Sequence, residues 1–223
     1  MLPRYENKLN DIRSHLSSMI GTMLLASKET LQAFETNDNE MYEASKRRLK
    51  NFQEQANKID NEVIKTFALF GPEAEELRLL VAFLKMTNEL DRIGDGIKKY
   101  NRRLQEHCSG GCDLSILAQP IVQLHKTTLH ALQYIQDCME AMNSCDAENL
   151  YRKVVVEESK NDDIFSIMEK ELLTLIIKSG DLSAEYVKVL GTMRKLERTG
   201  DRTVNIAALL LYAQKGGEIQ LYA

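Results

Sequence analysis

Acidic side chains recur four residues apart at three places where the sequence has helical periodicity. Residues with this spacing lie on one face of a helix, and two like charges there cost roughly 0.2–0.5 kcal/mol. Converging carboxylates raise one another's pKa values, and a bound cation removes the repulsion. The three pairs are Asp91 with Asp95, Glu158 with Asp162, and Glu197 with Asp201. If the helices that carry the last two pairs face each other, four carboxylates form a candidate cation site.

The donor atoms of this candidate site are all oxygens. Such a set favours hard or borderline cations such as Mg²⁺, Mn²⁺, Ca²⁺ or Fe³⁺. Carboxylate-bridged di-iron bundles add a Glu-x-x-His element, which the sequence lacks. Because there is also no evident nucleophile or histidine base, we predict no catalytic residues and no organic cofactor. A metal-dependent hydrolase or oxidase is kept only as a third alternative.

Arginines beside the acidic pairs offer a simpler interpretation. Arg92, Arg198 and Arg202 could neutralise the acids as a solvated stripe of salt bridges. Two glycines at matching positions, Gly94 and Gly200, favour a built site instead, because a mid-helix glycine costs about 1 kcal/mol relative to alanine. They suggest that another element approaches closely. Both interpretations stay open at this point.

The elements that must position these residues are long helices. Apolar residues recur at steps of three and four, turn-forming residues interrupt them at short intervals, and the 223-residue chain holds only 11 glycines and 3 prolines. An antiparallel, all-α bundle follows. Its six helices are predicted at about residues 5–35, 40–70, 72–105, 113–142, 147–177 and 183–214.

The second half of the chain repeats the first. Residues 88–95 resemble residues 194–201 at an offset of 106, and the same offset matches Val81 with Val187. Self-similarity at a fixed offset indicates duplication of a three-helix unit. We therefore predict two repeats, at 1–107 and 112–223.

Charge and hydropathy indicate which partners and which cellular location to expect. The formal net charge of −4 argues against a nucleic-acid partner, which normally requires a strongly basic face. The longest apolar run, Ile206–Ala213, is too short to span a membrane. Residues 1–6 hold no apolar segment of the signal-peptide type, so we expect a cytoplasmic protein.

Four cysteines are expected to stay reduced in that compartment. Cys138 and Cys145 are interpreted as small core residues of a helix. His107, Cys108 and Cys112 could bring three zinc ligands together, but a fourth is lacking and the Ser-Gly-Gly centre of this segment is typical of a linker.

The acidic motifs carry a family resemblance. Residues 89–95, Glu-Leu-Asp-Arg-Ile-Gly-Asp, and 195–201, Lys-Leu-Glu-Arg-Thr-Gly-Asp, resemble the two acidic signatures of the PhoU family. Met19-Ile20-Gly21 is similar to its Met-Gly element, and residues 72–78 are similar to its Pro-x-Ala-x-Asp-Leu-Arg turn, with Glu76 in place of the aspartate. The resemblance spans essentially the whole chain, in order and spacing.

This resemblance implies two tandem three-helix bundles with pseudo-twofold symmetry, and a homodimer. It implies a non-enzymatic, metal-binding regulator that links a phosphate transporter of the ABC type to a sensor histidine kinase. Membrane association is then peripheral and through these partners only. The alternative is an accessory subunit of a sodium- or proton-coupled phosphate permease.

The resemblance also implies two metal sites, for iron, zinc, manganese or magnesium. The site of the second repeat consists of Glu158, Asp162, Glu197 and Asp201, and that of the first consists of Asp60, Asp91 and Asp95. Ala56 stands four residues before Asp60, where Glu158 stands before Asp162. We therefore expect the first site to bind metal weakly or not at all.

Overall fold

Helices account for nearly all of the chain that the computed structural model describes, which is residues 3–110, 113–178, 180–218 and 221. Those ranges contain no strand, and short 3-10 turns precede two of the helices, at Ser115–Leu117 and Gly180–Leu182. The all-α prediction is confirmed. The helices are α1 (Pro3–Thr36), α2 (Asn39–Arg48), α3 (Phe52–Phe70), α4 (Ala74–Cys108), α5 (Ala118–Glu140), α6 (Ala147–Lys178) and α7 (Ser183–Lys215).

The predicted second helix is divided into α2 and α3. Asp38 caps the start of α2 by accepting hydrogen bonds from the backbone N–H groups of Glu40 and Met41. The helix closes at Leu49, whose side chain is buried. The chain then resumes as α3 with the buried Phe52. No glycine or proline marks this break, which is why the periodicity of the sequence runs through it.

The halves of the chain form two three-helix bundles related by pseudo-twofold symmetry, as predicted. The first consists of α1, α2 with α3, and α4, and the second consists of α5, α6 and α7. Helix α1 packs on its counterpart α5, and α4 packs on its counterpart α7. Each half therefore presents the same two helices to the other. The exact repeat boundaries, 1–107 and 112–223, stay a prediction.

Buried apolar side chains form two clusters, and each draws on both halves. One contains Phe83 and Ile93 of α4 together with Val204 of α7. The other contains Leu104 of α4 together with Met193 of α7. Because α4 and α7 share core along their lengths, the acidic motifs that they carry are held on a rigid frame.

The prediction that Cys138 and Cys145 stay reduced is wrong for this structure, in which they form a disulfide with Cα atoms 5.2 Å apart. Seven residues along a continuous helix would separate these atoms by about 10 Å, beyond disulfide reach. Helix α5 ends at Glu140, however, and the N–H of Cys145 donates to the carbonyl of Ala141 at 2.9 Å. The turn thus folds back and brings the two residues together.

The predicted zinc alternative depends on Cys112, which lies outside the described residues. The other two side chains take protein partners. The ring of His107 is buried and lies 2.9 Å from the hydroxyl of Thr192, and the thiol of Cys108 lies 3.6 Å from the hydroxyl of Tyr42. Separately, none of the helices within the described ranges combines the length and hydropathy needed to cross a membrane.

Candidate metal site

Three of the predicted ligands converge where α6 packs on α7. Glu158 and Asp162 lie one turn apart on α6, and Asp201 lies on α7. One oxygen from each lies within 4.8 Å of the others. Asp162 is exposed while the other two are half-buried, so the cluster opens to solvent on one side. The two helices do face each other, which is the condition on which the candidate site depends.

A buried asparagine fixes the helices at this point. Asn161 is buried, and its amide donates to the hydroxyls of Thr127 and Thr128 on α5, at 2.8 and 3.2 Å. On the other side, a Cβ added to Gly200 would lie 3.4 Å from the Asn161 side chain. Asn161, the residue next to Asp162, thus contacts both α5 and α7 and fixes the position of α6 between them. This residue was not identified from the sequence alone.

Crowding and burial of the carboxylates raise their pKa values. Burial raises the pKa of Glu158 to about 7, with further increases from the charge of Asp162 and from a hydrogen bond to it. Burial and the charge of Asp162 also raise the pKa of Asp201, against the opposing charges of Arg198 and Arg202. These carboxyls therefore hold protons more tightly than isolated ones, as expected where compensating cations are too few.

Glu197 completes the cluster from the adjacent turn of α7. Its Oε2 is buried and has no hydrogen-bond partner, and its pKa is raised by burial and by Asp201. It is not one of the three residues whose oxygens converge within 4.8 Å. A buried carboxylate oxygen without a partner is costly, and a cation would satisfy it. The residues therefore fit a metal ion held mainly by Glu158, Asp162 and Asp201.

The salt-bridge interpretation does not describe this cluster. Within the described ranges, none of its four carboxylates lies within 4.0 Å of a lysine, arginine or histidine nitrogen. Arg202 instead pairs with Glu89 of α4 at 2.9 Å. Arg198 acts on Asp201 only through its charge.

The predicted residues of the first repeat are arranged differently. Asp95 pairs with Lys99, one turn further along α4, at 2.6 Å. The pKa of Asp91 is raised by burial and by Asp95, and that of Asp60 on α3 is raised by burial, with Asp91 adding to it. These three described residues do not form a converging ligand group of the kind found in the second repeat.

Apolar packing replaces the fourth acid in the first repeat. Ala56 is buried in the core at the position that corresponds to Glu158. The ring of Phe52 lies so close to Gly94 that an added Cβ would be 2.5 Å from it. The close approach predicted at the matching glycines is therefore tight at Gly94 and ordinary van der Waals contact at Gly200.

A protein-family model matches both halves of the chain, including the acidic motifs. The model described as the PhoU domain matches residues 16–104 and again residues 124–210, which together cover most of the chain. The chain belongs to the PhoU domain family. Its two matched stretches contain all seven predicted metal ligands.

Two PhoU relatives extend the similarity to nearly the full length. The phosphate-specific transport system accessory protein PhoU homolog of Pseudomonas aeruginosa is 24% identical over 217 residues, which is 97% of this chain and 88% of the relative. The phosphate-specific transport system accessory protein PhoU of Escherichia coli is 25% identical over 218 residues, with the same coverage of 97% and 88%.

Solved PhoU structures share the fold. The crystal structure of PhoU from Pseudomonas aeruginosa matches 96% of this chain and 100% of its own with a TM-score of 0.85, at 24% identity. The structure of the phosphate transport system regulatory protein PhoU from Streptococcus pneumoniae matches with a TM-score of 0.78 at 19% identity. At these identities the match establishes the architecture.

Proposed function

We propose that this protein is a regulatory accessory protein of phosphate transport that binds a metal cation at the acidic cluster of its second repeat. One observation carries the metal part of the proposal. Glu158, Asp162 and Asp201 direct oxygens to within 4.8 Å of one another at the α6–α7 contact. The phosphate part is supported by PhoU relatives whose alignments cover nearly all of both chains.

The proposed mechanism is one of assembly rather than catalysis. We infer a phosphate transporter as the partner, on the cytoplasmic face of the membrane, with a sensor histidine kinase and a second copy of this chain as further partners. A permease in place of the ABC transporter is the alternative. Iron, zinc, manganese and magnesium are all compatible with an all-oxygen site.

A cation at the cluster has two possible uses. It neutralises Glu158 and Asp201, which allows α6 and α7 to stay packed at that point. Because Asp162 is exposed, the cation would also keep one side open, where phosphate oxygens or a partner's side chain can reach it. The first use is structural and the second is regulatory.

A double variant, Glu197→Ala with Asp201→Ala, separates these uses. A regulatory cation predicts a normal melting temperature together with loss of phosphate repression of uptake genes in cells. A structural cation predicts a lower melting temperature. The matched control is Glu54→Ala with Glu171→Ala, two exposed acids outside ion pairs in the described chain. If the double variant folds normally and repression is intact, the proposed role of the cluster in regulation is wrong.

A further inference from the structure

A second charged feature, of opposite sign, lies on α4 and α7. A concave cleft of ≈ 550 Å³ opens between these helices and the start of α3. Cationic side chains greatly outnumber acidic ones in its lining, where the only described acids are Asp91 and Asp95. Five of the cations belong to no ion pair within 4.0 Å in the described part of the chain. They are Lys50, Arg92, Lys98, Lys195 and Arg198.

The remaining charges of the cleft neutralise one another. Lys99 pairs with Asp95 at 2.6 Å, and Arg202 pairs with the buried Glu89 at 2.9 Å. Among the described residues of the lining, Asp91 is left as the one acid beside five cations outside ion pairs, although the charge of Arg198 also acts on Glu197 and Asp201 of the acidic cluster. A chain with a net charge of −4 therefore concentrates positive charge in one concavity, and a concavity of this kind attracts anions.

The cleft is built jointly by the two repeats. Arg92 and Arg198 are counterparts at the 106-residue offset, and each contributes its side chain to the same concavity. The helices approach closely here, since a Cβ added to Gly96 of α4 would lie 3.4 Å from the hydroxyl oxygen of Thr199 on α7. The cations on α4 and α7 are therefore held by two closely packed helices.

We propose that this cleft binds a small polyanion that carries two or more phosphoryl groups, such as a short-chain polyphosphate. Guanidinium groups match phosphoryl oxygens with paired hydrogen bonds, and several cations favour several charges on one ligand. The volume lies in the range typical of small-molecule sites. Phe52 is part of the lining, but it is only 5% exposed, so the cleft offers charge rather than a stacking surface for a base. The inference does not depend on the acidic cluster or on the regulatory role proposed above.

Calorimetric titration of the full chain with tripolyphosphate, in chelator and at near-physiological salt, tests this inference. Saturable binding of one ligand is expected, with orthophosphate weaker. Lys98→Gln with Lys195→Gln should weaken tripolyphosphate binding by about tenfold or more, because each lost charged contact is a large fraction of the affinity. Both substitutions leave the carboxylates of the acidic cluster in place.

Two controls make the result decisive. Lys170→Gln with Lys178→Gln changes the net charge equally at exposed positions of α6 that belong to no ion pair in the described chain, and should leave binding unchanged. A short acidic peptide of equal charge should bind more weakly than tripolyphosphate. Absence of saturable binding, equal loss in the control variant, or equal affinity for the peptide would each overturn the inference.

Discussion

Glu158 is an acid whose pKa is raised both by burial and by the charges of neighbouring carboxylates. Its pKa of about 7 means that the folded protein holds this proton at pH values where the unfolded chain, with an ordinary pKa of 4.5, has released it. Without metal, the free energy of unfolding therefore falls as the pH rises from 4.5 through 7, and the full penalty applies above 7. A cation that favours the carboxylate form removes that penalty.

Glu158→Gln should consequently stabilise the metal-free protein at alkaline pH. We expect a gain of about 1 kcal/mol at pH 8, reduced from the full shift because the side chain is only half-buried, or a rise of roughly 2–4 °C in melting temperature. At pH 5 the gain should nearly vanish. Thermal melts in chelator at both pH values measure it, and a variant that is less stable than wild type at pH 8 contradicts the electrostatic explanation.

Among the described glycines, Gly94 is the one at which an added Cβ would make the shortest contact. Because an added Cβ would lie 2.5 Å from the buried ring of Phe52, Gly94→Ala should destabilise the protein by about 1–3 kcal/mol. Gly191→Ala on α7 is the control, since its Cβ would meet nothing within 4 Å. That change should stabilise by about 0.5–1 kcal/mol through helix propensity. Chemical denaturation compares the two, and equal effects would show that the Phe52 contact is unimportant.

At the residue scale, the sequence predicts which acids share a helix face. Helical spacing places Glu158 and Asp162 together on α6, but their approach to Asp201 also requires that α6 and α7 face each other. The pairing of Asp95 with Lys99 was also readable, as an acid followed four residues later by a base. The role of Asn161 was not, because a polar residue on the buried face of a helix shows its partners only once the neighbouring helices are in place.

Helix α5 is joined to α1 by a buried histidine. The ring of His125 lies 2.8 Å from the hydroxyl of Ser27 and edge-on to the ring of Tyr100. Burial lowers the pKa of His125 to about 3, so the folded protein keeps it neutral while the unfolded chain protonates it near pH 6.5. Stability supplied by this contact is therefore lost as the pH falls below 6.5.

His125→Gln should flatten the acid dependence of stability. Between pH 6.5 and 5, wild type should lose up to about 1.4 kcal/mol per pH unit from this residue, and the variant should not. The variant is expected to be less stable at pH 7, because it loses the aromatic contact. Urea unfolding at pH 5, 6 and 7 gives both slopes. Parallel slopes would assign the acid sensitivity to other groups.

Element boundaries follow the sequence where special residues mark them. Helix α3 ends at residue 70, as predicted, and Gly71 follows it in a left-handed conformation with φ +52°. The α2–α3 break and the end of α5 before Cys145 carry no such mark. Both depend on tertiary packing, of Leu49 and Phe52 in one case and of the disulfide turn in the other, which local patterns do not contain.

Within the described residues, one mostly buried ion pair joins the two repeats. Glu89 of α4 is 8% exposed and accepts a hydrogen bond from Arg202 of α7 at 2.9 Å. Removing only the arginine leaves a buried charge without a partner, which costs more than the pair contributes.

Arg202→Met should therefore destabilise the protein by about 2–3 kcal/mol, and adding Glu89→Met should recover part of that loss. Arg152→Met, which removes an exposed partner of Glu148, should cost less than about 0.5 kcal/mol. A double-mutant cycle by chemical denaturation measures the coupling. Additive losses from the two methionine substitutions would show that the pair is not coupled.

Duplication predicts the symmetry of the whole molecule but not every difference between its two groups of acids. The 106-residue offset makes Asp91 and Asp95 the counterparts of Glu197 and Asp201, while Ala56 in place of an acid predicts a weaker first site. The first site is apolar on one side, where Ala56 replaces an acid and the ring of Phe52 lies over Gly94. It is cationic on the other side, where lysines surround it. Only the first of these differences is readable from the sequence.

Titration of the metal-free protein with Mn²⁺, followed by calorimetry, tests the metal site of the second repeat most directly. The variant Glu158→Gln with Asp201→Asn should lose binding, whereas Asp91→Asn with Asp95→Asn, which changes two predicted ligands of the first repeat, should bind as wild type does. Circular dichroism confirms that each variant is folded. Equal loss from both variants would contradict the asymmetry, and undiminished binding by the first would contradict the metal site itself.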